Sequence, residues 1–266
     1  MKVLIVGFGN MGQTYANSFV GSGFVNSNDI FVLNRSEVEK KKRFSIPKEN
    51  FTTQATQALF EVDIIILAVK PQDFITMSSQ IKAFLNKEHL FLSVMAGISI
   101  ERIQKELNID KVVRSMPNIP TQIGQGITVF SASQEIDRKE LFIIQNLINT
   151  TGKSLYVSDE KMLNPATAIS GSGPAYVYYF MSAMIKAAEN LGFSNSEAIF
   201  LVNNTFSGAV QLQNRSNLGH QEWIEKVASK GGTTEVALNV FTNEEVFDNV
   251  ISGILEANKK AIELGK

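Results

Sequence analysis

The chain contains no cysteine, which excludes disulfides, thiolate metal sites and cysteine nucleophiles and fits a reducing compartment. It carries almost no net charge: 25 basic residues stand against 26 acidic ones, so no broad basic surface for nucleic acid or anionic membrane is expected. It also lacks a long apolar run. The opening "MKVLIVGFGNMG" places one lysine before a short hydrophobic stretch and then glycines, too brief for a signal peptide or a membrane span. The expected location is therefore cytoplasmic. Histidine is scarce, and both copies, His89 and His220, fall outside the motifs below and are expected on the surface. No paired-carboxylate or metal-ligand pattern is present, so no metal is expected.

What is present describes an ordinary globular protein of 266 residues, 44% hydrophobic and 19% charged, a length that suggests about two domains. Short β-rich runs at 2–6, 30–33, 63–68, 90–94, 112–115, 126–130 and 154–157 alternate with amphipathic stretches such as 72–85 and 136–148. Most of the runs are continuously apolar, as in "DIIILAV", the pattern of strands covered on both faces in a parallel, doubly wound α/β sheet. From about residue 160 the pattern changes. Apolar residues recur at helical spacing through 176–191, 195–212, 221–227 and 246–264, with no strand candidate. The expected division is a Rossmann-like dinucleotide-binding domain over 1–158 and an all-helical domain over 159–266. Several helices of the second half are apolar over more than one stripe, which points to self-association.

The first chemical motif is "KVLIVGFGNMG", with Gly7, Gly9 and Gly12 at GxGxxG spacing between a strand and a helix. In that context the first glycine allows the tight turn, the second lets a pyrophosphate reach the backbone, and the third lets helix and strand pack closely. The helix start offers free N–H groups and a positive dipole end. A glycine-rich turn without a ligand is the plain alternative. After the second strand, NAD-type sites carry an acidic residue for the ribose 2′-hydroxyl, whereas this chain has Asn34, Arg35 and Ser36. A guanidinium there suits a 2′-phosphate, so NADPH is expected, with NADH possible. The following Lys40, Lys41, Lys42 and Arg43 read as a solvated helix face. "LAVKPQD" and "RSMPNIP" each follow a strand, at the sheet edge where open α/β folds bind ligands, although an ordinary strand-to-helix turn would look the same.

Taken in order, "GFGNMG", "AVKPQD", "MPNIP", "SGSGPAY" and "SKGGTTEVAL" resemble the pyrroline-5-carboxylate reductase family along essentially the whole chain. The resemblance implies reduction of the cyclic imine 1-pyrroline-5-carboxylate to L-proline with NAD(P)H, the last step of proline synthesis, and a helical domain that forms intertwined dimers or rings of dimers. By position it implies a pyrophosphate loop of Gly7, Gly9, Asn10, Met11 and Gly12, and an adenosine-ribose site of Asn34, Arg35 and Ser36. Ala68, Val69, Lys70 and Pro71, with Met116, Pro117 and Asn118, would line the nicotinamide half. Ser229, Gly231, Gly232, Thr233 and Thr234 would hold the substrate carboxylate and ring nitrogen, with Thr234 as the catalytic contact. Lys230 departs from the family, which commonly has proline there and so a stiffer loop.

The residues support that loop independently. Gly231 and Gly232 can present successive N–H groups as an anion nest. Thr233 or Thr234 can cap a helix beginning near Glu235. An ordinary glycine turn with a threonine cap is the alternative. In "AISGSGPAYVYYF", Gly171, Gly173 and Pro174 read as a break between helices, with Pro174 in a first turn and Ser172 or Gly173 at its cap. Ser172 and Gly173 are also expected to form one wall of the substrate site. Two other functions compete. A β-hydroxyacid-type dehydrogenase would use Lys186 with Asn190, although its usual spacing is Lys-x-x-Asn, and Lys186 reads more simply as a solvated residue opposite an apolar stripe. A non-catalytic dinucleotide-binding regulatory relative is the third reading.

Overall fold

All seven β-rich runs fold as strands in the computed structural model, and the alternation of their side chains builds two cores. The structure describes residues 1–37 and 46–264; Lys40, Lys41, Lys42 and Arg43 lie outside them. The strands are β1 (Val3–Val6), β2 (Ile30–Leu33), β3 (Phe51–Thr52), β4 (Ile64–Leu67), β5 (Leu90–Ser93), β6 (Val112–Met116), β7 (Gly126–Ala132) and β8 (Gly152–Tyr156). The described residues form one eight-stranded sheet in the order β3-β2-β1-β4-β5-β6-β7-β8. Helices α1 (Asn10–Gly21), α2 (Phe74–Ile81), α3 (Ile100–Leu107) and α4 (Arg138–Asn149) cover it.

Successive strand residues point to opposite faces. Val3, Ile5, Ile64 and Ile66 therefore meet Tyr15 and Phe19 of α1 and Leu147 of α4. Leu4, Val6, Ile65 and Leu67 meet Phe74 of α2 and Ile103 of α3. Each fully buried Ile, Leu or Phe stabilises the fold by roughly 1.5–3 kcal/mol, and the strands are apolar throughout because both faces are covered.

The sheet departs from the expected parallel arrangement in one place: β7 runs antiparallel to β6. The link, 117–125, contains two prolines and a tight 3-10 turn at Ile119–Ile123 in place of a crossover helix, and a parallel return needs a dozen or more residues. β8 is again parallel to β7, with α4 as the crossover. The two-residue β3 gave no sequence signal. α3 is held at its start by Ser99, whose Oγ accepts from the Arg102 N–H at 3.2 Å, and Ile100, Ile103 and Leu107 form its buried stripe.

β1 pairs with β2 on one side and β4 on the other. The chain therefore changes direction across the sheet at β1, and a crevice opens at the C-terminal ends of these strands.

Beyond β8 the described residues are helical: α5 (Leu163–Ala166), a π-turn (Thr167–Gly171), α6 (Gly173–Asn190), α7 (Asn195–Asn214), α8 (His220–Val227), α9 (Thr233–Asn243) and α10 (Val246–Leu264). The expected break at Gly171 is a π-turn instead. The Ser172 N–H donates to the Thr167 carbonyl five residues back at 2.9 Å, and Ser172 has right-handed helical dihedrals, φ −83 and ψ −19. Ser172 is thus not an extended N-cap, while Pro174 does fall in the first turn of α6, where its missing N–H costs nothing. α7 opens with a capping box between Ser194 and Glu197.

The chain divides into two compact units, one holding Met1–Ser172 with the end of α10 from Asn258, the other Gly173–Ala257. Within the second unit only Ala198 and Val202 are buried. Tyr179 is 74% exposed, Phe200 69% and Phe247 77%. Among the described residues no helix is long and apolar enough to cross a membrane.

Candidate functional site

Two of the three glycines of the first motif meet a steric demand of the fold. Gly7 has φ +96, and a Cβ there would lie 2.8 Å from the Ala68 carbonyl carbon and 2.9 Å from Val69 Cγ1. A Cβ on Gly12 would overlap the Gly7 carbonyl oxygen, while one on Gly9 would meet nothing within 4 Å. Gly7 and Gly12 are required by the fold. The fold leaves room for a side chain at Gly9. The exposed backbone of Gly9 and Asn10 leads into α1, which has no acidic residue in its first turn and no side chain capping it. Gln13 is the first residue whose N–H returns to the helix, to Gly9 at 3.0 Å. The N–H groups of Asn10 and Met11 are left facing the crevice mouth, which fits a dinucleotide pyrophosphate.

Asn34 fixes this loop from the neighbouring strand. Its Oδ1 accepts from the Phe8 N–H at 3.1 Å, and its Nδ2 donates to the Ser36 carbonyl at 2.8 Å. Arg35 is 84% exposed at the side chain and pairs with Asp73 Oδ1 at 3.2 Å. Ser36 is exposed beside it. Ala68 and Val69 lie against Gly7, as above. Lys70 is exposed, and Pro71 opens a 3-10 turn that runs into α2. Pro117 and Asn118 are buried. Asn118 is committed to the chain: its Nδ2 donates to the Ser170 carbonyl at 3.1 Å and its Oδ1 accepts from the Ile127 N–H at 3.0 Å. Met116 Cε would lie 2.7 Å from a Cβ on Gly171, so Gly171 gives way to a methionine, whereas a Cβ on Gly173 would meet nothing within 4 Å. Ser172 is half-buried.

The second candidate loop is built from Ser229 to Thr234. Gly231 has φ +73, a left-handed backbone, and a Cβ on Gly232 would lie 2.6 Å from Ser229 Oγ. The Gly232 N–H donates to the Ser229 carbonyl at 2.9 Å, closing a tight ring. The helix begins at Thr233, with Gly232 at the N-cap and no side-chain cap. The expected threonine cap is therefore absent, because a glycine already occupies the capping position and both threonines sit inside the first turn. Glu235, which the sequence reading gave no role, supplies a carboxylate instead, accepting from the Gly231 N–H at 2.7 Å. A Glu at the third helical position is the signal that could have found it. Two of the loop's N–H groups are thus used within the chain. Those of Thr233 and Thr234 are first-turn donors without a helical acceptor, and Ser229 and Lys230 are exposed.

Other candidates resolve differently. His89 is buried, not superficial: 5% exposed, it accepts at Nδ1 from the Asn86 N–H at 3.1 Å and meets the Phe60 carbonyl through Nε2 at 2.8 Å. The single polar ring in an apolar run gave no hint of those backbone partners. Lys186 is exposed on α6 and pairs with Glu189 at 3.3 Å. Among the described residues no cluster of His, Asp or Glu could hold a metal ion.

Three features had no counterpart in the motifs. Arg114, 7% exposed, pairs with Glu160 at 2.7 Å, and the same Glu160 oxygen accepts from the Ile100 N–H at 2.9 Å. Tyr15 is fully buried in the core, its hydroxyl without a hydrogen-bond partner. Burial pushes its phenol up to about 12, only partly offset by the nearby hydroxyls of Thr128, Ser115 and Thr151. Finally, a polar cleft of about 630 Å³ runs along α1 between Asn17 and Gln122. It touches the candidate cofactor residues only at Asn10, and the hydroxyls of Thr14, Ser18, Thr121 and Thr150 that line it already donate to backbone carbonyls.

Comparison with known proteins places both loops in one family context. The family model described as pyrroline-5-carboxylate reductase dimerisation matches residues 160–264, and that described as NADP oxidoreductase coenzyme F420-dependent matches residues 2–97. The pyrroline-5-carboxylate reductase of Staphylococcus epidermidis is 31% identical, over 99% of this chain and 98% of its own. That of Staphylococcus haemolyticus is 30% identical, over 100% and 98%. The crystal structure of Plasmodium falciparum pyrroline carboxylate reductase with NADP bound superposes with a TM-score of 0.89 at 27% identity, covering 100% of this chain and 98% of that one. A whole-chain match at this level, joined to a Rossmann-like sheet and a helical second half, leaves one conclusion: the chain belongs to the pyrroline-5-carboxylate reductase family.

Proposed function

We propose that the protein reduces 1-pyrroline-5-carboxylate to L-proline with NADPH, and with NADH as a second donor, in the cytoplasm. The observation that carries this reading is the similarity to enzymes of that name along the whole chain, 31% identical over 99% of it. The open backbone at Gly9 supports it, because a Cβ there would fill the space a pyrophosphate needs.

In this reading Gly7, Gly9, Asn10, Met11 and Gly12 hold the pyrophosphate, and Asn34, Arg35 and Ser36 the adenosine ribose and its phosphate. Ala68, Val69, Lys70 and Pro71, with Met116, Pro117 and Asn118, shape the nicotinamide half. The dinucleotide supplies the hydride. Ser229 Oγ and the N–H groups of Thr233 and Thr234 grip the substrate carboxylate; Gly231 and Gly232 set the loop that presents them. Thr234 Oγ1 bonds the ring nitrogen, and Ser172 and Gly173 form a further wall. A protonated imine is already a strong electrophile, and hydride transfer neutralises its charge, so orientation supplies much of the catalysis and a strong general acid is not needed.

Residues 159–266 act as the substrate and dimerisation domain, paired as a homodimer or a ring of dimers. The exposed apolar side chains of Gly173–Ala257 support this, since such surface is covered in stable proteins. The test follows NADPH absorbance at constant enzyme: its loss with 1-pyrroline-5-carboxylate and NADPH and, in parallel, its gain with 3-hydroxy acids and NADP⁺. Turnover with the imine alone is expected; turnover with a hydroxy acid alone would replace this reading with the dehydrogenase one. Thr234→Ala should lower kcat by about tenfold or more, the usual cost of one substrate-orienting bond, with dinucleotide binding unchanged; equal kinetics would remove Thr234 from the site.

A further inference from the structure

The second strand is followed by Asn34, not by the acidic residue that NAD-type sites place there. The fold nevertheless brings a carboxylate to the guanidinium of the neighbouring Arg35. Asp73 lies in the turn after β4, 38 residues further along, and its Oδ1 stands 3.2 Å from Arg35 in the turn after β2. Since β2 and β4 flank β1 on its two sides, this ion pair joins the two turns that stand on either side of the glycine loop that follows β1.

Among the described residues this carboxylate has one side-chain partner, Arg35. Asp73 precedes α2 without capping it through its side chain, and the pair is solvent-facing, with the Arg35 side chain 84% and the Asp73 side chain 38% exposed. Exposed pairs of this kind contribute little to stability. An acceptor and a guanidinium held together can each serve one form of the cofactor. A carboxylate accepts from a ribose 2′-hydroxyl, and a guanidinium donates to a 2′-phosphate.

We propose that Asp73 is a specificity-determining residue acting against Arg35: it accepts from the 2′-hydroxyl of NADH, and it must release Arg35, and lie beside a phosphate dianion, when NADPH binds. The inference rests on the dinucleotide reading above. It makes the protein a dual-cofactor enzyme whose bias is set by the balance of one cation and one anion.

The experiment is direct titration of NAD⁺ and NADP⁺ into the full-length protein by calorimetry, without substrate. Asp73→Asn keeps the shape and removes the charge. It is expected to bind NADP⁺ about threefold tighter, through a freed exposed cation, and NAD⁺ about tenfold weaker, through loss of a charge-assisted bond. Arg35→Met should do the reverse for NADP⁺ and leave NAD⁺ within about twofold. Opposite movement of the two affinities in Asp73→Asn supports the proposal. Movement of both in one direction, or of neither, overturns it while leaving dinucleotide binding standing. A wild-type protein that binds neither nucleotide overturns the proposal and the cofactor reading together.

Discussion

Removing the carboxylate of Glu160 tests whether the buried ion pair organises the first unit. Glu160→Ala strips Arg114 of its partner and the Ile100 N–H of its acceptor in a single change. The Arg114 side chain is 9% exposed, so its charge cannot turn to water without moving the strand, whereas Glu160 at 27% sits nearer the surface. Breaking a buried pair costs about 3–5 kcal/mol. The partial exposure of Glu160 argues for the lower end, about 3 kcal/mol, even after counting the lost N–H bond. At about 2–4 °C per kcal/mol for a chain of this size, the melting temperature should fall by about 6–12 °C. Urea unfolding at fixed protein concentration, read by circular dichroism, gives the free energy directly. Glu160→Gln retains an acceptor for both donors and should lose less than half as much. Arg114→Met/Glu160→Met removes the stranded charge and should be more stable than Glu160→Ala alone. A loss below about 1 kcal/mol in Glu160→Ala, the level of a surface pair, would refute the argument.

Two further outcomes are expected. The Tyr15 phenol, pushed up to about 12 in the folded chain, ionises near 10 when unfolded. Its proton-linked stability is fully present below pH 10 and is lost as the pH rises through 12, by up to roughly 3 kcal/mol. Stability measured from pH 9 to 12 should show that fall and Tyr15→Phe should flatten it; an equally steep curve in the variant would assign the loss elsewhere. Glu235→Ala frees the Gly231 N–H and should raise KM for the imine about tenfold with a smaller change in kcat, the magnitude of one charge-assisted bond. Glu235→Gln should restore most of the loss, and a Gln variant no better than Ala would show that the loop does not depend on that bond.

Much of this fold was legible because its signals are local. Runs such as "IIIL" must be covered on both faces, and the spacing of Gly7 and Gly12 answers a positive φ and a helix start packed on the Gly7 carbonyl. What was missed depends on distant partners. Asp73 reaches Arg35, and Glu160 reaches Arg114 and Ile100, across separations that periodicity does not report. His89 reads as surface polarity until the Phe60 carbonyl is seen beside it. The direction of β7 was decided by the short, proline-bearing link before it, and the Thr233 and Thr234 cap failed because Gly232 can take the capping backbone without a side chain. The glycines at 171 and 173 misled for another reason: a π-turn uses helical dihedrals throughout, so residues that usually end helices sit within helical backbone.

The thin interior of Gly173–Ala257 bears on how the protein is handled. A segment that buries Ala198 and Val202 and shows water its aromatic rings draws its cohesion from whatever covers those rings. Its melting point is then a property of a solution and not of a molecule, rising with concentration by mass action. Dilution in an assay cuvette becomes a perturbation in its own right, and a substitution such as Phe247→Ser lowers activity merely by lowering the concentration of folded protein.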